Sequence, residues 1–457
     1  MPNQKIVVLD GTRTDDNFDE LLGILLDVLH QKNTDVQLFR LRDIKINHCI
    51  GCFNCWLKTP GRCIYNDAGQ YILQNIVTSD ILILFSPVVF GGYSSELKKI
   101  VDRFLPIVLP FFIKAHGETH HPPRYTDFPR IVGIGVTSSP EKDLTHCFRM
   151  LVGRNALNLP PSYYSAEVIN TADAPEILRQ RFYALLSRTD KLPLGKEVAS
   201  LFSMYCIPAD FPDKATEKRR ALLITGSPKS NSSSTSSILG EFLLKELNRR
   251  GIIVDSLTLK KDLLHNEGQR NLNAAVEKAD MILIAFPLYF DTLPFLVTKA
   301  LEVIASHREN ITGEKDKFFL ALLNNGLTES YQNAVALAIC RNFAVECNMV
   351  WAGGLAIGIG EGLINGRSLT GFRGFGGFKR PPLFYVTRSL KLTAAALAAG
   401  QPVPEKAMHL MARQPVPFIS SDRWRSFVIK KVKKILKKEA EKNGLNIQEM
   451  FKKPYAE

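Results

Sequence analysis

Apolar runs and amphipathic stretches alternate along the chain, and the same alternation occurs twice. In the first half an apolar run ending in glycine, 5–11, precedes a polar loop and residues 18–30, whose apolar positions recur at helical spacing. Residues 221–226 and 238–249 repeat this order in the second half. Short apolar runs that alternate with helices are typical of βαβ units around a parallel sheet. The pattern predicts an α/β fold with two tandem, doubly wound, parallel five-stranded sheets.

The positions of the other apolar runs give the domain limits. Further strands are predicted at 36–41, 80–87, 130–136 and 165–169 in the first half and at 252–257, 280–287, 318–323 and 349–356 in the second. A stretch with several prolines and mixed charges reads as a linker between the halves. The predicted parts are a first sheet domain at 1–190, the linker at 191–218, a second sheet domain at 219–360 and a C-terminal helical extension at 361–457.

The composition is that of a folded protein with unevenly distributed charge. The 457 residues are 45% hydrophobic and 23% charged, which excludes wholesale disorder. No apolar run is long enough for a transmembrane helix and no secretory signal is visible, so we expect a cytoplasmic protein whose eight cysteines form no disulfide framework. The net charge of +13 lies wholly in residues 219–457, since residues 1–218 hold 24 basic and 24 acidic residues. Such confinement argues against a nucleic-acid partner.

Four of the eight cysteines form a compact array in the first half. They are spaced C-x2-C-x2-C-x7-C, and they are Cys49, Cys52, Cys55 and Cys63. Two-residue spacers wrap a loop closely enough for four thiolates to hold one 4Fe–4S cluster. A four-thiolate zinc site is the alternative, although such sites more often pair two separated C-x2-C knuckles. A loop of idle thiols is the third interpretation.

A polar loop follows the first strand of the second half and precedes a helix. Its glycine, hydroxyls and lysine lie where backbone N–H groups and the helix dipole favour an anion. It lacks the Gly-Lys-Ser/Thr ending of a P-loop, which argues against a nucleoside triphosphate and favours a phosphomonoester. A serine-rich helix cap is the simpler alternative. The candidate phosphate ligands are Ser227, Lys229, Ser230, Asn231, Ser233 and Thr235.

Two further loops of the second half follow predicted strands and would lie beside the phosphate loop, since ligands bind at the carboxyl ends of such strands. The first is rich in aromatic and apolar residues and offers a wall for a flat ring; the second supplies amide groups. The candidate flavin contacts are Pro287, Leu288, Tyr289 and Phe290 in the first loop and Asn325 and Gly326 in the second. For Tyr289 or Phe290 alone, packing in the core is the alternative.

The corresponding loop of the first half, 11–17, departs from this chemistry. Asp15 and Asp16 would repel a phosphate at the start of a helix. They are better explained as helix-capping residues. The first domain is therefore predicted to have a weakened or lost flavin site.

With these motifs in place, the first domain resembles the NADPH-dependent FMN reductase-like branch of the flavodoxin superfamily, in particular the iron–sulfur flavoproteins of anaerobic microbes. The second domain resembles the same family but has no counterpart of the cysteine loop. The residues that carry the resemblance are 49–56, 59–63, 86–98 and 102–103 in the first domain, 226–235 and 286–302 in the second, and 452–455 near the end of the sequence.

The resemblance implies two flavodoxin-like domains, FMN, a 4Fe–4S cluster and electron transfer between the two cofactors. Family members bring the flavin and the cluster together across a subunit interface. Because the cysteines and the phosphate loop lie in different halves, we expect an intramolecular pseudo-dimer with one cluster facing one FMN. A homo-oligomer in which each half pairs with its twin is the alternative. NAD(P)H is a candidate substrate, but no NAD(P)-specific motif identifies the electron donor, and the acceptor, a small molecule or a protein, is equally open.

Two other functions fit the same residues. One is an NAD(P)H-dependent FMN or quinone reductase with idle cysteines. The other is a non-catalytic module in which zinc stiffens an interaction platform. No acid–base dyad or nucleophile stands out, which suits electron transfer.

A basic helix is predicted at 422–443. Its apolar positions recur at helical spacing and lysines occupy the remaining face, which is compatible with contact to a membrane surface or an acidic partner. We favour a helix docked on a sheet domain with solvated lysines.

Overall fold

The structure is a computed structural model of the chain. It describes residues 4–159, 163–208, 220–229, 234–311, 317–364, 366, 368–369, 383–416 and 418–456. The glycine- and phenylalanine-rich stretch at 371–378 lies outside the described residues.

The first sheet has five parallel strands in the spatial order β2-β1-β3-β6-β7. The sheet strands are β1 (Lys5–Asp10), β2 (Asp35–Arg40), β3 (Ile81–Pro87), β6 (Arg130–Thr137) and β7 (Tyr164–Asn170). Two short strands, β4 (Ile113–Ala115) and β5 (Glu118–His120), form a separate pair. Counting only the five sheet strands, the order is 2-1-3-4-5, which is that of flavodoxin-like folds.

Helices cover the sheet because strands buried on both faces need apolar partners on each side. They are α1 (Asp19–Gln31), α2 (Asn54–Leu57), α3 (Ala68–Val77), α4 (Ser95–Val101), α5 (Lys142–Asn158) and α6 (Pro175–Ser187). The core on one face joins β1, β3 and β6 to α1 and α6, with Leu25 and Phe182 fully buried between them.

The second sheet repeats this architecture with the order β9-β8-β10-β11-β12. Its strands are β8 (Arg220–Thr225), β9 (Ile253–Thr258), β10 (Met281–Pro287), β11 (Phe318–Asn324) and β12 (Val350–Ile357). The remaining helices are α7 (Gly195–Cys206), α8 (Thr235–Asn248), α9 (Asn266–Lys278), α10 (Phe295–Arg308), α11 (Ala334–Glu346), α12 (Gly360–Ile364), α13 (Phe384–Ala398), α14 (Glu405–Ala412) and α15 (Ser421–Lys442). The predicted fold class is thus confirmed.

A glycine closes the first strand of each sheet for the same packing reason. A Cβ atom on Gly11 would lie 2.5 Å from Leu97 Cβ, and one on Gly226 would lie 2.0 Å from Val297 Cγ2. Leu97 is in α4 and Val297 is in α10, the helices that follow the third strand of each sheet. In both sheets the loop after the first strand therefore packs directly against the helix that follows the third strand.

The loop after the third strand is also built alike in both sheets. The backbone of Phe90 and Gly91 has φ of 54° and 86°, and that of Phe290 and Asp291 has φ of 44° and 60°. Two successive residues with positive φ give the tight turn that joins antiparallel residues in hairpins. Phe290 and Asp291 adopt this conformation without a glycine, which stores backbone strain at that turn.

The chain forms two compact units. Unit 1 contains the described residues of 4–115, 120–194 and 427–456, and unit 2 those of 116–119 and 195–426. The division differs from the predicted domain limits at two places. Residues 195–206, within the predicted linker, form α7, which packs on α11 and β12 in unit 2. The end of the predicted extension, from Phe427 onward, belongs to unit 1.

The basic helix α15 is packed along one side. Trp424, Val428 and Ala440 are buried on it, whereas its lysines from Lys430 to Lys438 are exposed. In unit 1 its Leu436 and Ala440 contact Leu109 and Met450 in a small apolar cluster. No helix in the described ranges is long and apolar enough to cross a membrane.

Candidate cofactor sites

The cysteine loop occupies the connection between β2 and α3 in unit 1. Its tight winding uses left-handed backbone at Gly51 and Phe53, with φ of 62° and 54°. The short helix α2 begins directly after Phe53, and Trp56 anchors it by donating from Nε1 to the carbonyl oxygens of Leu105 (2.8 Å) and Val108 (3.0 Å). The loop is therefore held against the segment that follows α4.

The four thiols of this loop face one small cavity. Cys55 is buried, Cys49 and Cys63 are half-buried, and Cys52 is exposed. The cavity is lined by Cys49, Ile50, Cys52, Phe53, Cys55, Cys63, Ile64, Tyr65, Asp102, Arg103, Leu105 and Pro106. The structure thus brings together all four cysteines that the spacing predicts to share one cofactor.

Burial and the neighbouring cysteines raise the pKa of two of these thiols, Cys49 and Cys55. Burial raises the pKa of Cys49 to about 12, and the Gly51 N–H, 3.4 Å from its sulfur, only partly offsets this. Burial and the neighbouring cysteines also raise the pKa of Cys55 well above its ordinary value. Because metal ligation requires thiolates, the site needs positive charge to form its bound state.

The donor set fits a four-thiolate cofactor. In a zinc site all four sulfurs lie about 2.3 Å from one ion, whereas a cubane cluster is held by four thiolates around a larger core. Four cysteines around a shared cavity are the donor set that both cofactors use.

An ion-pair network supports the far wall of the cavity. Arg103 is buried and donates from Nη1 to Asp67 (2.6 Å) and to the carbonyl oxygen of Asn47 (3.1 Å). Lys98 and Asp102 form a second buried pair. Arg103 thus ties Asn47 and Asp67, which flank the cysteine loop, to the segment after α4.

The first loop of unit 1 lacks the chemistry of a phosphate site. Asp10 is buried at the end of β1 and accepts hydrogen bonds from Thr12 N (2.9 Å) and Oγ1 (2.6 Å). Arg42 lies 3.4 Å from Asp10 and pairs at 2.9 Å with Asp19. The cation that a phosphate would use is thus already neutralised by carboxylates.

The roles of the two aspartates in that loop differ from our prediction. Helix α1 begins after Phe18, which makes no side-chain cap, so the prediction that Asp15 and Asp16 cap the helix was wrong. Asp16 instead accepts from Arg13 N (2.6 Å) and pairs with its guanidinium (2.9 Å). The loop closes on itself because a basic and an acidic side chain lie three residues apart.

The first loop of unit 2 is arranged differently. Ser227 is buried, and Lys229 pairs with Glu361 of α12. Ser234 caps α8 by accepting from Ser237 N at 3.2 Å, and Thr235, the first helical residue, is buried. The helix-cap alternative thus applies to Ser234, while Ser227 and Lys229 precede the cap. The other candidates, Ser230, Asn231 and Ser233, lie outside the described residues.

The predicted ring loops lie at the carboxyl ends of β10 and β11. Pro287, Leu288 and Phe290 are half-buried, whereas Tyr289 is buried and its backbone pairs with Thr292. Pro287, Leu288 and Phe290 therefore expose apolar surface that a flavin ring could contact, whereas Tyr289 packs mainly in the core.

In the neighbouring loop, the side-chain amide of Asn325 has a hydrogen-bond partner for its nitrogen but, among the described residues, none for its oxygen. Asn325 is only 2% exposed and donates from Nδ2 to the Glu329 carbonyl oxygen at 2.9 Å. In the described part of the chain, no donor reaches its Oδ1. A Cβ on Gly326 would meet no atom of the described residues within 4 Å, so that part of the chain leaves space beside this loop. A buried acceptor next to open space suits a ligand that carries a ring N–H.

Sequence reasoning gave 102–103 and 452–455 only as part of a family resemblance, without a role, and it missed Arg124. Asp102 and Arg103 line the cavity, Arg124 hydrogen-bonds to Pro106 of the cavity wall, and Tyr455 follows Pro454, which lies on the cysteine loop at Gly61. Their long separation in sequence hides this proximity. Aligning the two halves would have given a signal, because unit 1 has long insertions at 41–67 and 102–129 where unit 2 has the short connections 259–265 and 309–317.

Comparison with known families places the first part of the chain. Residues 4–116 match the model of the family described as NADPH-dependent FMN reductase. The match covers β1 to β4 together with the cysteine loop.

Two similar proteins are iron–sulfur flavoproteins of archaea. One, from Methanocaldococcus jannaschii, is 32% identical over 111 residues, which cover 24% of this chain and 56% of that protein. Another, from Archaeoglobus fulgidus, is 30% identical over 99 residues, covering 22% and 44%. The chain therefore spans about half the length of these relatives.

Solved structures with partial similarity include an azoreductase from Bacillus anthracis and a flavodoxin of Streptococcus pneumoniae. The first is 13% identical with a TM-score of 0.28 and covers 39% of this chain and 98% of that one. The second is 12% identical with a TM-score of 0.27 and the same coverage.

Proposed function

We propose that this chain, whose residues 4–116 belong to the NADPH-dependent FMN reductase family, is an oxidoreductase that passes electrons between FMN and a 4Fe–4S cluster. Cys49, Cys52, Cys55 and Cys63 of unit 1 hold the cluster, and unit 2 holds the FMN. The observation that carries the proposal is the convergence of four closely spaced thiols on one cavity in a domain of this family.

The cluster assignment is supported by the donor set and its surroundings. Four thiols, three of them at least partly buried, face the cavity together with Arg103. The similar archaeal proteins are named iron–sulfur flavoproteins. A cluster bound there supplies one-electron chemistry, while the chain holds the thiolates in place and limits their contact with water.

The placement of FMN in unit 2 is supported by the contrast between the two first loops. In unit 1 the arginines near β1 are paired with Asp10, Asp16 and Asp19. In unit 2 the loop that precedes α8 holds Ser227 and Lys229 and has no acidic residue of its own. A phosphate would compete with Glu361 for the Lys229 ammonium group and accept from the loop N–H groups.

The residues of unit 2 would then orient the flavin without acid–base chemistry. Pro287, Leu288 and Phe290 offer apolar contact to the ring, and the free Oδ1 of Asn325 accepts a ring N–H. FMN accepts a pair of electrons and releases them singly. This makes it a suitable link between a two-electron donor such as NAD(P)H and the cluster.

The division of sites between units gives each chain one cofactor of each kind. A single chain then works as an intramolecular pseudo-dimer, with no requirement for a second copy. The electron donor and acceptor are a small molecule or a protein, each with a redox group of matching potential.

Anaerobic purification followed by a visible spectrum and by iron, sulfide, zinc and FMN analysis tests the proposal. We expect iron and FMN at about four to one, with equimolar sulfide. Zinc without iron would contradict the cluster. Two FMN molecules per chain would contradict the division of sites between the units.

A further inference from the structure

The segment from Glu449 to Tyr455 packs against the part of unit 1 that surrounds the cysteine loop. Phe451 stacks on Phe111 with ring centroids 5.1 Å apart, and Met450 is fully buried beside Leu109. The contact joins residues more than three hundred positions apart in sequence. We call residues 449–455 the closing segment.

Arg124 fastens the closing segment. It is 2% exposed and donates from Nη1 to the carbonyl oxygens of Met450 (2.7 Å) and Lys452 (2.8 Å), and from Nε to that of Pro106 (2.6 Å). Pro106 lines the cysteine cavity. A single buried guanidinium thus connects the cavity wall to the closing segment.

The closing segment also touches the cysteine loop directly. Gly61 has φ of +83°, and a Cβ on it would lie 2.5 Å from Pro454 Cδ and 3.2 Å from the Lys452 carbonyl oxygen. The Gly61 N–H donates to the carbonyl oxygen of Cys55 at 2.9 Å. Pro454 therefore lies on the turn that connects the third and fourth cysteines.

Two buried donors near the cysteine loop lack an acceptor among the described residues. Tyr455 is 4% exposed, and its N–H donates to Tyr125 Oη at 3.1 Å. Within the described part of the chain, neither the Tyr455 hydroxyl nor Arg124 Nη2 has a hydrogen-bond partner. Buried donors left without acceptors destabilise a fold, so such groups in a native protein usually call for an explanation such as a ligand or an ion.

Both donors lie beside the cysteine loop. Arg124 hydrogen-bonds to Pro106, which lines the same cavity as Cys55 and Cys63. Tyr455 directly follows Pro454, which lies on Gly61 between those two cysteines. Cysteine sulfurs that carry a cluster are hydrogen-bond acceptors with negative charge, whereas the sulfur of a free thiol is only a weak acceptor. The two donors therefore gain a strong acceptor only in the loaded site.

We propose that the closing segment is part of the cluster site: the Tyr455 hydroxyl and Arg124 Nη2 donate hydrogen bonds to the sulfurs of the loaded cysteine loop, at Cys63 and Cys55 respectively. The proposal deepens the proposed function and rests on it. Tyr455 and Arg124 are positioning residues, since they act through the sulfur atoms. Their hydrogen bonds stabilise the more negative, reduced state and slow the release of iron.

The test compares Tyr455→Phe with the unaltered chain under anaerobic conditions. The variant removes one hydroxyl and keeps the ring that packs in the closing segment. We expect the same iron content, a ratio of reduced to oxidised cluster at fixed potential that falls about tenfold, equivalent to 59 mV for one electron, and about tenfold faster loss of iron to a chelator.

Tyr183→Phe is the matched control. It removes a phenol hydroxyl from α6 of the same unit, where Tyr183 donates to Gln31 at 2.5 Å, and we expect potential and iron release to stay unchanged. A Tyr455→Phe chain with the original potential would overturn the role of the closing segment alone. A shift of the reduction potential in Tyr183→Phe equal to that in Tyr455→Phe would also overturn the role of the closing segment. An unaltered chain that binds no iron would overturn the proposed function as well.

Discussion

The two units share a scaffold and differ in the connections at one edge of it. Both have strand order 2-1-3-4-5, a glycine packed against the helix that follows the third strand, and the same tight turn after that strand. Unit 1 has the insertions 41–67 and 102–129, whereas unit 2 connects the same elements through 259–265 and 309–317. The cysteine loop lies in the first insertion, and Arg103, Arg124 and His121 lie in the second.

This difference shows how one fold supports two kinds of site. The sheets provide equivalent positions at their carboxyl edges, and only loop chemistry decides what binds there. In unit 1 the first loop is occupied by its own ion pairs, while the insertions build a thiol-lined cavity beside it. In unit 2 the insertions are absent from the described residues, and the first loop presents Ser227 and Lys229 instead.

The largest effect is expected from Cys52→Ser. The exposed Cys52 lines the cavity with the other three thiols, so its loss should remove most of the iron while FMN stays bound to unit 2. Iron and FMN analysis of the same sample measures both. Cys147→Ser is the control, since Cys147 is buried in α5 away from the loop and should keep the iron. Loss of both cofactors from Cys52→Ser would contradict separate sites.

A smaller effect is expected at the first loop of unit 2. Lys229→Ala removes the cation of the loop that precedes α8, and a hydrogen bond to a charged group contributes about 1.5–3 kcal/mol. We therefore expect FMN affinity to fall at least tenfold in a fluorescence titration of the flavin-free chain. Arg13→Ala, at the corresponding loop of unit 1, is the control and should leave affinity unchanged, because Arg13 is engaged by Asp16. A larger loss of FMN affinity in Arg13→Ala than in Lys229→Ala would indicate that unit 1 binds the FMN.

The apolar pattern predicted the fold well because each buried strand and each amphipathic helix has a local signature. Strands β3 and β10, for instance, are continuous apolar runs that end in proline. The candidate site was predicted only where its residues are close in sequence, as in the cysteine array. Arg124 and Tyr455 reach that array through tertiary packing, and Arg124 meets the segment that holds Tyr455 across more than three hundred residues, which no local pattern encodes. The helix α7 was hidden by the prolines around it.

The shared packing of the first loops predicts equal losses of stability in the two units. Gly11→Ala and Gly226→Ala each force a Cβ against the next helix, and overpacking of this kind costs about 1–3 kcal/mol. Thermal unfolding of each variant measures the loss. Gly326→Ala is the control, because its Cβ would meet nothing within 4 Å and should change stability by less than about 0.5 kcal/mol. A loss in only one glycine variant would show that the two copies differ in their scaffold as well.

The smallest effect concerns acid stability, and it belongs to the second insertion of unit 1. The His121 ring lies against Trp56 with centroids 5.0 Å apart, and its Nδ1 donates to the carbonyl oxygens of Leu109 (2.9 Å) and Phe111 (3.1 Å). Burial lowers the pKa of His121 to about 4, below its ordinary value of 6.5. The unfolded chain therefore binds this proton more readily, so the neutral ring stabilises the fold above pH 6.5 and this contribution is lost as the pH falls toward 4.

Urea unfolding at pH 7 and pH 5 measures this contribution. The free energy of unfolding should fall by about 2 kcal/mol between these two values through His121 alone. His121→Gln keeps an N–H donor but cannot be protonated, so it should lower stability at pH 7 and reduce the difference between the two pH values. His30→Gln, at an exposed position of α1, should retain the original difference. If His121→Gln also retains the difference between pH 7 and pH 5, the loss of unfolding free energy in acid arises elsewhere. The second insertion then does not distinguish unit 1 from unit 2 in acid stability.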